Sequence, residues 1–326
     1  MYAAIDLHQK TVQLVLKDEQ GQIASETKIS KDAKSILQFL EGSDARVVME
    51  SGYNHEHIYD LLKEEGYDVR VAHPLMVKAI AYAKVKNDKV DARTLADLLR
   101  LDMIPECYIP SIETRELRDL ARRRHYFVST RTMFKNKIHA ELSRRWIEYS
   151  KADLSSQEGR KRLRSLEIRA VDDYLDSIEF LDAKIGELDG QIKEQALQDK
   201  YAELLVTVPG ISYYGALLIS SEIADINRFP DPEHLCSYAK LAPGVHQSGD
   251  TQYQKQDRRG NHMLNWIMIQ CTHVHVLNCE SSSITRHYNK IKESRGTNVA
   301  IVAAARKLMK AIYMMLREER TFRLDG

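Results

Sequence analysis

The first hundred residues alternate between short apolar runs and stretches with helical spacing. The short runs are rich in β-branched residues and are bounded by turn residues, a pattern that predicts strands. The predicted strands cover residues 2–6, 11–16, 22–29, 46–49 and 67–72. Helical patterns follow the third and fourth strands, and two more flank Asn87. The order βββαβαβα predicts a mixed sheet with three antiparallel strands and crossover helices, which is the ribonuclease H arrangement.

Strand signals disappear between about residues 115 and 195. One stretch there places apolar residues alternately three and four positions apart, which predicts a helix with a coiled-coil seam. The seam consists of Val171, Tyr174, Ile178, Leu181, Ile185, Leu188 and Ile192. Such a seam must be buried, and the sequence leaves two partners open: another helix of the same chain, or a second copy of the chain.

The last section predicts mostly helices. Residues 208–211 read Val-Pro-Gly-Ile before a predicted helix at 213–223, which resembles a helix-hairpin-helix element in which amides near Gly210 bind a phosphate. A short helix through 235–238, a polar loop at 243–260 and helices at 261–278 and 297–317 follow. The sequence thus predicts three domains: an α/β domain at 1–114, a basic helix and coiled-coil region at 115–200, and a mostly helical domain at 201–326.

Composition excludes several classes of protein. The chain has 326 residues, of which 43% are hydrophobic and 29% are charged, so it has enough apolar material for two or more cores. Four cysteines occur without a C-x-x-C pair, which argues against structural zinc and disulfides. Long apolar segments and a leader pattern are absent from the sequence, so we expect a cytoplasmic protein that binds no membrane.

Charge is segregated along a chain whose formal net charge is only +1. Residues 115–145 carry ten Lys and Arg against three acids, whereas residues 170–205 carry ten acids against three bases. A basic block attracts a phosphate backbone, although a solvated helix face gives the same pattern. The candidate nucleic-acid contacts are Arg122, Arg123, Arg124, Lys135, Lys137, Gly210, Arg258 and Arg259.

Four acids stand where the predicted α/β domain can bring them together. Asp6 lies in the first strand and Glu50 ends the fourth, and these strands are neighbours in a ribonuclease H sheet. Asp88 and Asp91 are three residues apart and share a helix face. Like charges this close call for divalent cations, and two ions can stabilise both oxygens of a phosphoryl transfer. The alternative is that Asp88 is an N-cap with Asp91 at N3, and that Glu50 is solvated.

Short motifs surround these acids and others follow later. The first set is Ala4-Ile5-Asp6, Met49-Glu50-Ser51-Gly52 and Asn87-Asp88-Lys89-Val90-Asp91-Ala92-Arg93. The second set is Val208-Pro209-Gly210-Ile211, Ala239-Lys240-Leu241-Ala242-Pro243, Gln247-Ser248-Gly249 and Arg258-Arg259-Gly260-Asn261. In these motifs and their order the chain resembles the DEDD transposases of the Piv/MooV group, insertion-sequence recombinases with a RuvC-like domain that are guided by a bridge RNA. The resemblance extends over nearly the whole chain.

The resemblance implies a function and a set of roles. Asp6, Glu50, Asp88 and Asp91 are expected to bind Mg²⁺, as two ions and with Mn²⁺ as an alternative. Ser248 is expected to attack the scissile DNA phosphate, which gives a transient 5′-phosphoserine. The expected partners are DNA at the element ends and target, a guide RNA, and further copies of the chain in a dimer or tetramer, with one subunit's acids meeting another's serine.

Two departures and two other functions stay open. Leu7-His8 follows the first acid where the family pattern usually has a small residue and Lys, and Tyr53-Asn54-His55-Glu56-His57 follows Glu50. These differences affect neighbouring contacts rather than the four acids. The first other function is a metal-dependent endonuclease, similar to a RuvC-like resolvase, that uses water as its nucleophile. The second is a non-catalytic scaffold that binds nucleic acid.

Overall fold

The computed structural model describes residues 1–52, 54–80, 87–248, 251–256 and 260–324, without the side chains of residues 151, 243–248 and 251–256. The chain separates into two compact units, Met1–Ile109 and Pro110–Gly326. Each unit has its own apolar core and is described by itself. Among the described residues, every helix is too short or too polar to cross a lipid bilayer.

Five strands in the described part of the first unit form one mixed sheet. They are β1 (Tyr2–Leu7), β2 (Thr11–Lys17), β3 (Ile23–Ser30), β4 (Arg46–Glu50) and β5 (Val69–Ala72). Their spatial order is β3-β2-β1-β4-β5, with β1, β2 and β3 antiparallel and with β4 and β5 parallel to β1. The predicted strand order and the mixed sheet are confirmed.

Helices cover both faces of this sheet. They are α1 (Ala33–Leu40), α2 (His55–Glu64), α3 (Pro74–Ile80) and α4 (Asp88–Arg100). Side chains alternate between the faces of a strand: Ile5 packs in the core with α1 and α2, whereas Ala4 and Val48 pack with α3 and α4. Asp6 and Glu50 continue the alternation of Ala4 and Val48. Both acids therefore lie on the face that α4 covers.

The second unit is mostly helical. Its helices are α5 (Ile112–Arg144), α6 (Gln157–Arg164), α7 (Arg169–Ala196), α8 (Lys200–Leu205), α9 (Tyr213–Ile223), α10 (Pro232–Tyr238), α11 (His262–Asn278), α12 (Ser283–Arg295) and α13 (Thr297–Arg317). Strands β6 (Pro243–Ser248) and β7 (Thr251–Gln256) form an antiparallel hairpin. The prediction of a polar loop at 243–260 is therefore wrong at residues 243–248 and 251–256, which form these strands. The sequence at 247–256 is polar almost throughout and carries no alternating strand signal, and α12 was missed as well.

The heptad seam of α7 is buried inside the chain. Val171 and Ile178 are fully buried, and they share a cluster with Ile138 and Leu142 of α5. Farther along α7, Leu188 and Ile192 join the main core of the unit. Of the two partners that the sequence left open, the structure has the intramolecular one, so this seam gives no support for self-association.

Gly210 occupies a position that only glycine accepts. Its φ of +98° lies in the left-handed region, and a Cβ there would stand 2.6 Å from the backbone nitrogen of His275. His275 in turn is fully buried, with ring nitrogens 2.7 Å from the carbonyl oxygen of Pro209 and 2.8 Å from Oγ of Ser282. The turn before α9 is thus packed directly against α11. Phosphate binding by Gly210 stays a prediction beside this packing role.

Gly210→Ala should destabilise the second unit by about 3 kcal/mol or more, because the methyl group collides with backbone and the positive φ is strained. Thermal unfolding followed by circular dichroism measures the effect. Gly190→Ala is the matched control: it lies in α7 with open space around its Cβ, and it should stabilise the helix by up to about 1 kcal/mol. Equal unfolding temperatures for both variants would contradict the packing role of Gly210.

Candidate active site

The candidate acids come from three neighbouring elements of the first unit. Asp6 is the fifth residue of β1, Glu50 is the last residue of β4, and Asp88 is the first residue of α4. The register of the parallel pair places Ile5 beside Met49. The chain positions that follow, Asp6 and Glu50, therefore leave neighbouring strands at the same end of the sheet.

The N-terminus of α4 is capped without help from the acids. The side chain of Asn87 accepts hydrogen bonds from the backbone nitrogen of Lys89 at 2.7 Å and from that of Val90 at 3.4 Å. The backbone nitrogen of Asp91 donates to the carbonyl oxygen of Asn87 at 3.0 Å. The alternative in which Asp88 is the N-cap and Asp91 is at N3 is therefore wrong. The carboxylate of Asp88 is left for other contacts.

Asp6, His8 and Asp88 form a cluster of metal-ligand type. One ligand atom from each lies within 4.8 Å of the others. Nε2 of His8 lies 3.2 Å from Oδ2 of Asp6 and 3.2 Å from Oδ1 of Asp88. The other oxygen of Asp88, Oδ2, accepts a hydrogen bond from Nζ of Lys28 at 2.8 Å. The cluster thus holds two carboxylates on either side of one imidazole nitrogen.

The two carboxyl groups have pKa values shifted in opposite directions. Burial raises the pKa of Asp6, His8 lowers it, and the negative charges of Asp88 and Asp91 raise it further. The hydrogen bond from Lys28 lowers the pKa of Asp88, although partial desolvation opposes the effect. Asp6 is therefore the group whose negative charge is costly, and a cation at the cluster would relieve that cost.

Glu50 and Asp91 lie near this cluster without being part of it. Glu50 is half-buried at the end of β4 and makes contacts of its own. Asp91 is close enough for its charge to raise the pKa of Asp6. Among the described residues, the group whose ligand atoms lie together contains Asp6, His8 and Asp88. The metal roles of Glu50 and Asp91 stay predictions.

Sequence reasoning treated His8 only as a departure from a family pattern. The signal that would have found it is its spacing from Asp6: side chains two residues apart in extended chain point the same way, and His8 directly follows β1. The ring is 39% exposed, but its Nε2 atom is buried. His8 is thus a member of the site.

Comparisons with known proteins agree over most of the chain. Residues 3–147 match the family model of DEDD transposases of the IS110 type, described as "Transposase", and residues 202–289 match the model described as "Transposase IS116/IS110/IS902 family". The chain belongs to the IS110 family of DEDD transposases. It is therefore an enzyme that cuts and rejoins DNA, and membership in a DEDD family implies use of a divalent metal ion.

Individual relatives show the same relationship. The transposase for insertion sequence element IS1111A of Coxiella burnetii is 24% identical over 98% of this chain and 90% of its own length. The transposase for insertion sequence element IS1328 of Yersinia enterocolitica is 20% identical over 98% and 97%. The pilin gene-inverting protein of Moraxella bovis is 28% identical over 57% and 58%. The relatives thus include proteins named for insertion sequences and one named for gene inversion.

Ser248, the predicted nucleophile of this transposase, ends β6 in the second unit. Its backbone pairs with Thr251 of β7. Its side chain is outside the part that the structure describes, and Arg258 and Arg259 are outside the described residues altogether. The roles of these three residues stay predictions.

Two residues of the predicted basic surface are used in ion pairs. Arg122 donates two hydrogen bonds to the fully buried carboxylate of Glu222, at 2.7 and 2.9 Å. Asn261 donates a further one at 2.7 Å. Arg124 binds Asp189 of α7 in the same two-pronged way and stacks on the ring of Tyr214 at 4.2 Å. Both arginines therefore connect α5 to its neighbours within the chain.

Other residues of α5 remain at the surface. Arg123 and Lys137 are exposed, Lys135 is half-buried, and burial lowers the pKa of Lys135. Beside them, a groove of about 670 Å³ between α5 and Trp266 of α11 is lined by the apolar Val128 and Met133 and by hydroxyl, amide and aromatic side chains together with Lys137. Residues 120–140 contain no acid. A role of this face in binding nucleic acid stays a prediction.

Arg122→Met should destabilise the transposase by about 3 kcal/mol, because Glu222 is left buried with its main counter-charge removed. The expected fall in Tm is about 6 °C or more. Arg123→Met is the matched control on the exposed side of the helix and should change stability by less than about 0.5 kcal/mol. An unchanged Tm for Arg122→Met would assign Arg122 to the nucleic-acid surface instead.

Proposed function

We propose that this transposase exchanges DNA strands at an insertion-sequence end and its target through a covalent bond between Ser248 and DNA. In this proposal Asp6, Glu50, Asp88 and Asp91 hold Mg²⁺, as two ions, and a guide RNA selects the DNA. The observation that carries the metal part is the cluster of Asp6, His8 and Asp88 in a chain of the DEDD family. The serine and the RNA come from the family resemblance.

The residues at the cluster fit a divalent cation. Carboxylate oxygens are the ligands that Mg²⁺ prefers, at about 2.0–2.1 Å from the ion. Oxygens of Asp6 and Asp88 already lie within 4.8 Å of each other, so small side-chain movements suffice for both to contact one ion. Within the described residues, the buried Nε2 of His8 between them makes no hydrogen bond of good geometry. A cation bound beside this nitrogen would balance the charges of both carboxylates.

In the proposed reaction, Oγ of Ser248 attacks the phosphorus of the scissile phosphodiester. The Ser248 oxygen–phosphorus bond forms as the bond from phosphorus to the 3′ oxygen breaks, and the serine proton is lost as the leaving 3′ oxygen gains one. A bound divalent ion supplies charge stabilisation for the attacking and leaving oxygens. A 3′ hydroxyl of the partner strand then attacks the phosphoserine and releases Ser248.

A serine nucleophile suits strand exchange better than water does. Each step replaces one phosphate ester by another, so the bond energy of the DNA backbone is conserved in the protein–DNA link. Attack by water would leave a free 5′ phosphate, and rejoining that end would require an external energy source, whereas the released 3′ hydroxyl can still attack another phosphodiester. The covalent intermediate is the route that conserves the bond at the 5′ end, which is why we propose it over the water-using nuclease.

Assembly is part of the same proposal. The acids belong to the unit Met1–Ile109, whereas Ser248 belongs to Pro110–Gly326. In a dimer or tetramer, the acids of one subunit can act with the serine of another. The proposal assigns the metal site to a catalytic domain at 1–114, the basic helix and coiled-coil region to 115–200, and the nucleophilic serine to a domain at 201–326.

Ser248→Ala should abolish covalent protein–DNA adducts on denaturing gels, with strand exchange reduced by at least about 10³-fold, because no other group is proposed to form the ester. Asp6→Asn should also remove the adducts, since the cluster loses a charge that binds the metal. Ser294→Ala, on the exposed side of α12, is the control and should behave as the unaltered protein does.

The outcomes separate the functions. Cleavage that survives in Ser248→Ala but is lost in Asp6→Asn identifies a nuclease that uses water. DNA processing that is absent from the unaltered protein, with Mg²⁺ and with EDTA alike, identifies a scaffold. Adducts that persist in Ser248→Ala remove the serine assignment.

A guide RNA should copurify when the gene is expressed with its flanking DNA. Sequencing of that RNA should show segments complementary to an element end and to a target site. Arg123→Glu with Lys137→Glu should reduce the bound RNA by about tenfold or more, because each change reverses a charge on the acid-free face of α5. Lys34→Glu, on α1 of the first unit, is the matched control. Only random RNA fragments in the purified protein would contradict the guided mechanism.

A further inference from the structure

We propose that His8 is a nitrogen ligand of the divalent ion, and that it shifts the selectivity of the site from Mg²⁺ toward first-row transition ions. This inference rests on the metal site of the proposed function. It goes beyond that site because the four predicted metal ligands are all carboxylates.

The strand places His8 correctly for this role. His8 follows the last residue of β1, and its backbone nitrogen donates to the carbonyl oxygen of Thr11 at 2.9 Å, which holds it beside the end of the strand that carries Asp6. Nε2 of His8 is equally distant, at 3.2 Å, from one oxygen of Asp6 and one oxygen of Asp88. An ion shared by the three residues needs these same three atoms, which all lie within 4.8 Å of one another.

The contacts around Asp88 are divided between its two oxygens. Oδ2 faces Lys28 at 2.8 Å, whereas Oδ1 faces His8. A metal ion bound at Oδ1 can therefore coexist with the Lys28 contact. Lys28 supplies the positive charge on the outer side, so His8 is not needed merely as a counter-charge for Asp88.

The hydrogen bonding of His8 separates a ligand from an ordinary ion-pair partner. Nε2 is buried, yet among the described residues it makes no hydrogen bond of good geometry to either carboxylate. A histidine that only neutralised these acids would be expected to direct an N–H at one of them. What supports the ligand role is the position of Nε2, 3.2 Å from one oxygen of Asp6 and 3.2 Å from one oxygen of Asp88, where an ion shared by the three groups would contact all of them.

The donor set determines the selectivity. Mg²⁺ favours all-oxygen surroundings and keeps several waters, whereas imidazole nitrogen suits first-row transition ions. Two carboxylates with one imidazole are therefore a mixed site. We expect such a site to bind Mn²⁺ and Co²⁺ more tightly, relative to Mg²⁺, than the same site with alanine at position 8.

Pulsed electron paramagnetic resonance of Mn²⁺ on the full-length protein tests the ligation directly. The unaltered protein should show nuclear modulation from a directly bound ¹⁴N. His8→Ala should lose this modulation, while His57→Ala, which removes an exposed histidine on α2, should keep it. Circular dichroism of each variant verifies that the first unit is folded.

Isothermal titration with Mn²⁺ and Mg²⁺ tests the selectivity. His8→Ala should weaken Mn²⁺ binding by about tenfold or more and change Mg²⁺ binding much less. Bound Mn²⁺ without ¹⁴N modulation in the unaltered protein would overturn the role of His8 and leave the proposed metal site intact. Equal losses of Mn²⁺ and Mg²⁺ affinity would overturn the selectivity. Absence of Mn²⁺ binding in the unaltered protein would overturn the metal site itself.

Discussion

Repulsion between carboxylates is the constraint on which the candidate site depends. Asp6 lies on the central strand of the described sheet, and Asp88 begins the helix that covers it. Neither can move away easily: β1 is hydrogen-bonded on both sides, and α4 is anchored through the buried Leu95 and Leu99. The apolar core therefore holds the acids together. Burial in this core also disfavours the negative charge of Asp6. A cation bound beside Asp6 would stabilise that charge, and this stabilisation would contribute to the affinity for the cation.

The second unit also contains a buried carboxylate, but there the chain's own side chains stabilise its charge. Glu222 is fully buried, its charge is balanced by Arg122 with Arg118 at 3.5 Å, and Asn261 donates a further hydrogen bond to it. A buried acid with guanidinium and amide donors around it is part of the framework. A half-buried acid with only an imidazole and a neighbouring carboxylate nearby is suited to a ligand. Comparing the partners of the two acids thus separates structural from chemical roles.

The fold of the first unit was predictable because its signals are local. Short β-branched runs and the helices between them gave the order of elements along the chain, and the ribonuclease H arrangement that this order predicts made the strands of Asp6 and Glu50 neighbours. The hairpin β6–β7 was missed because most residues of its two strands are polar. They therefore lack the sustained alternation of apolar and polar positions that marks a strand in a sequence. The alternative with Asp88 as the N-cap of α4 stayed open because Asn87 and Asp88 are both good caps, and only the backbone decides between them.

The basic and acidic segments of the sequence pair with each other in the folded chain, which composition alone does not show. The basic α5 and the acidic α7 pack against each other, and Arg124 and Arg131 of α5 pair with Asp189 and Asp182 of α7. Part of the basic block is therefore neutralised within the chain. The planar guanidinium group of arginine suits such pairs with carboxylates. A count of basic residues therefore overestimates the positive charge that is available to bind nucleic acid. Arg123 and Lys137 are exposed residues of α5 outside these pairs, which is why the proposed contact with RNA is assigned to them rather than to the whole basic block.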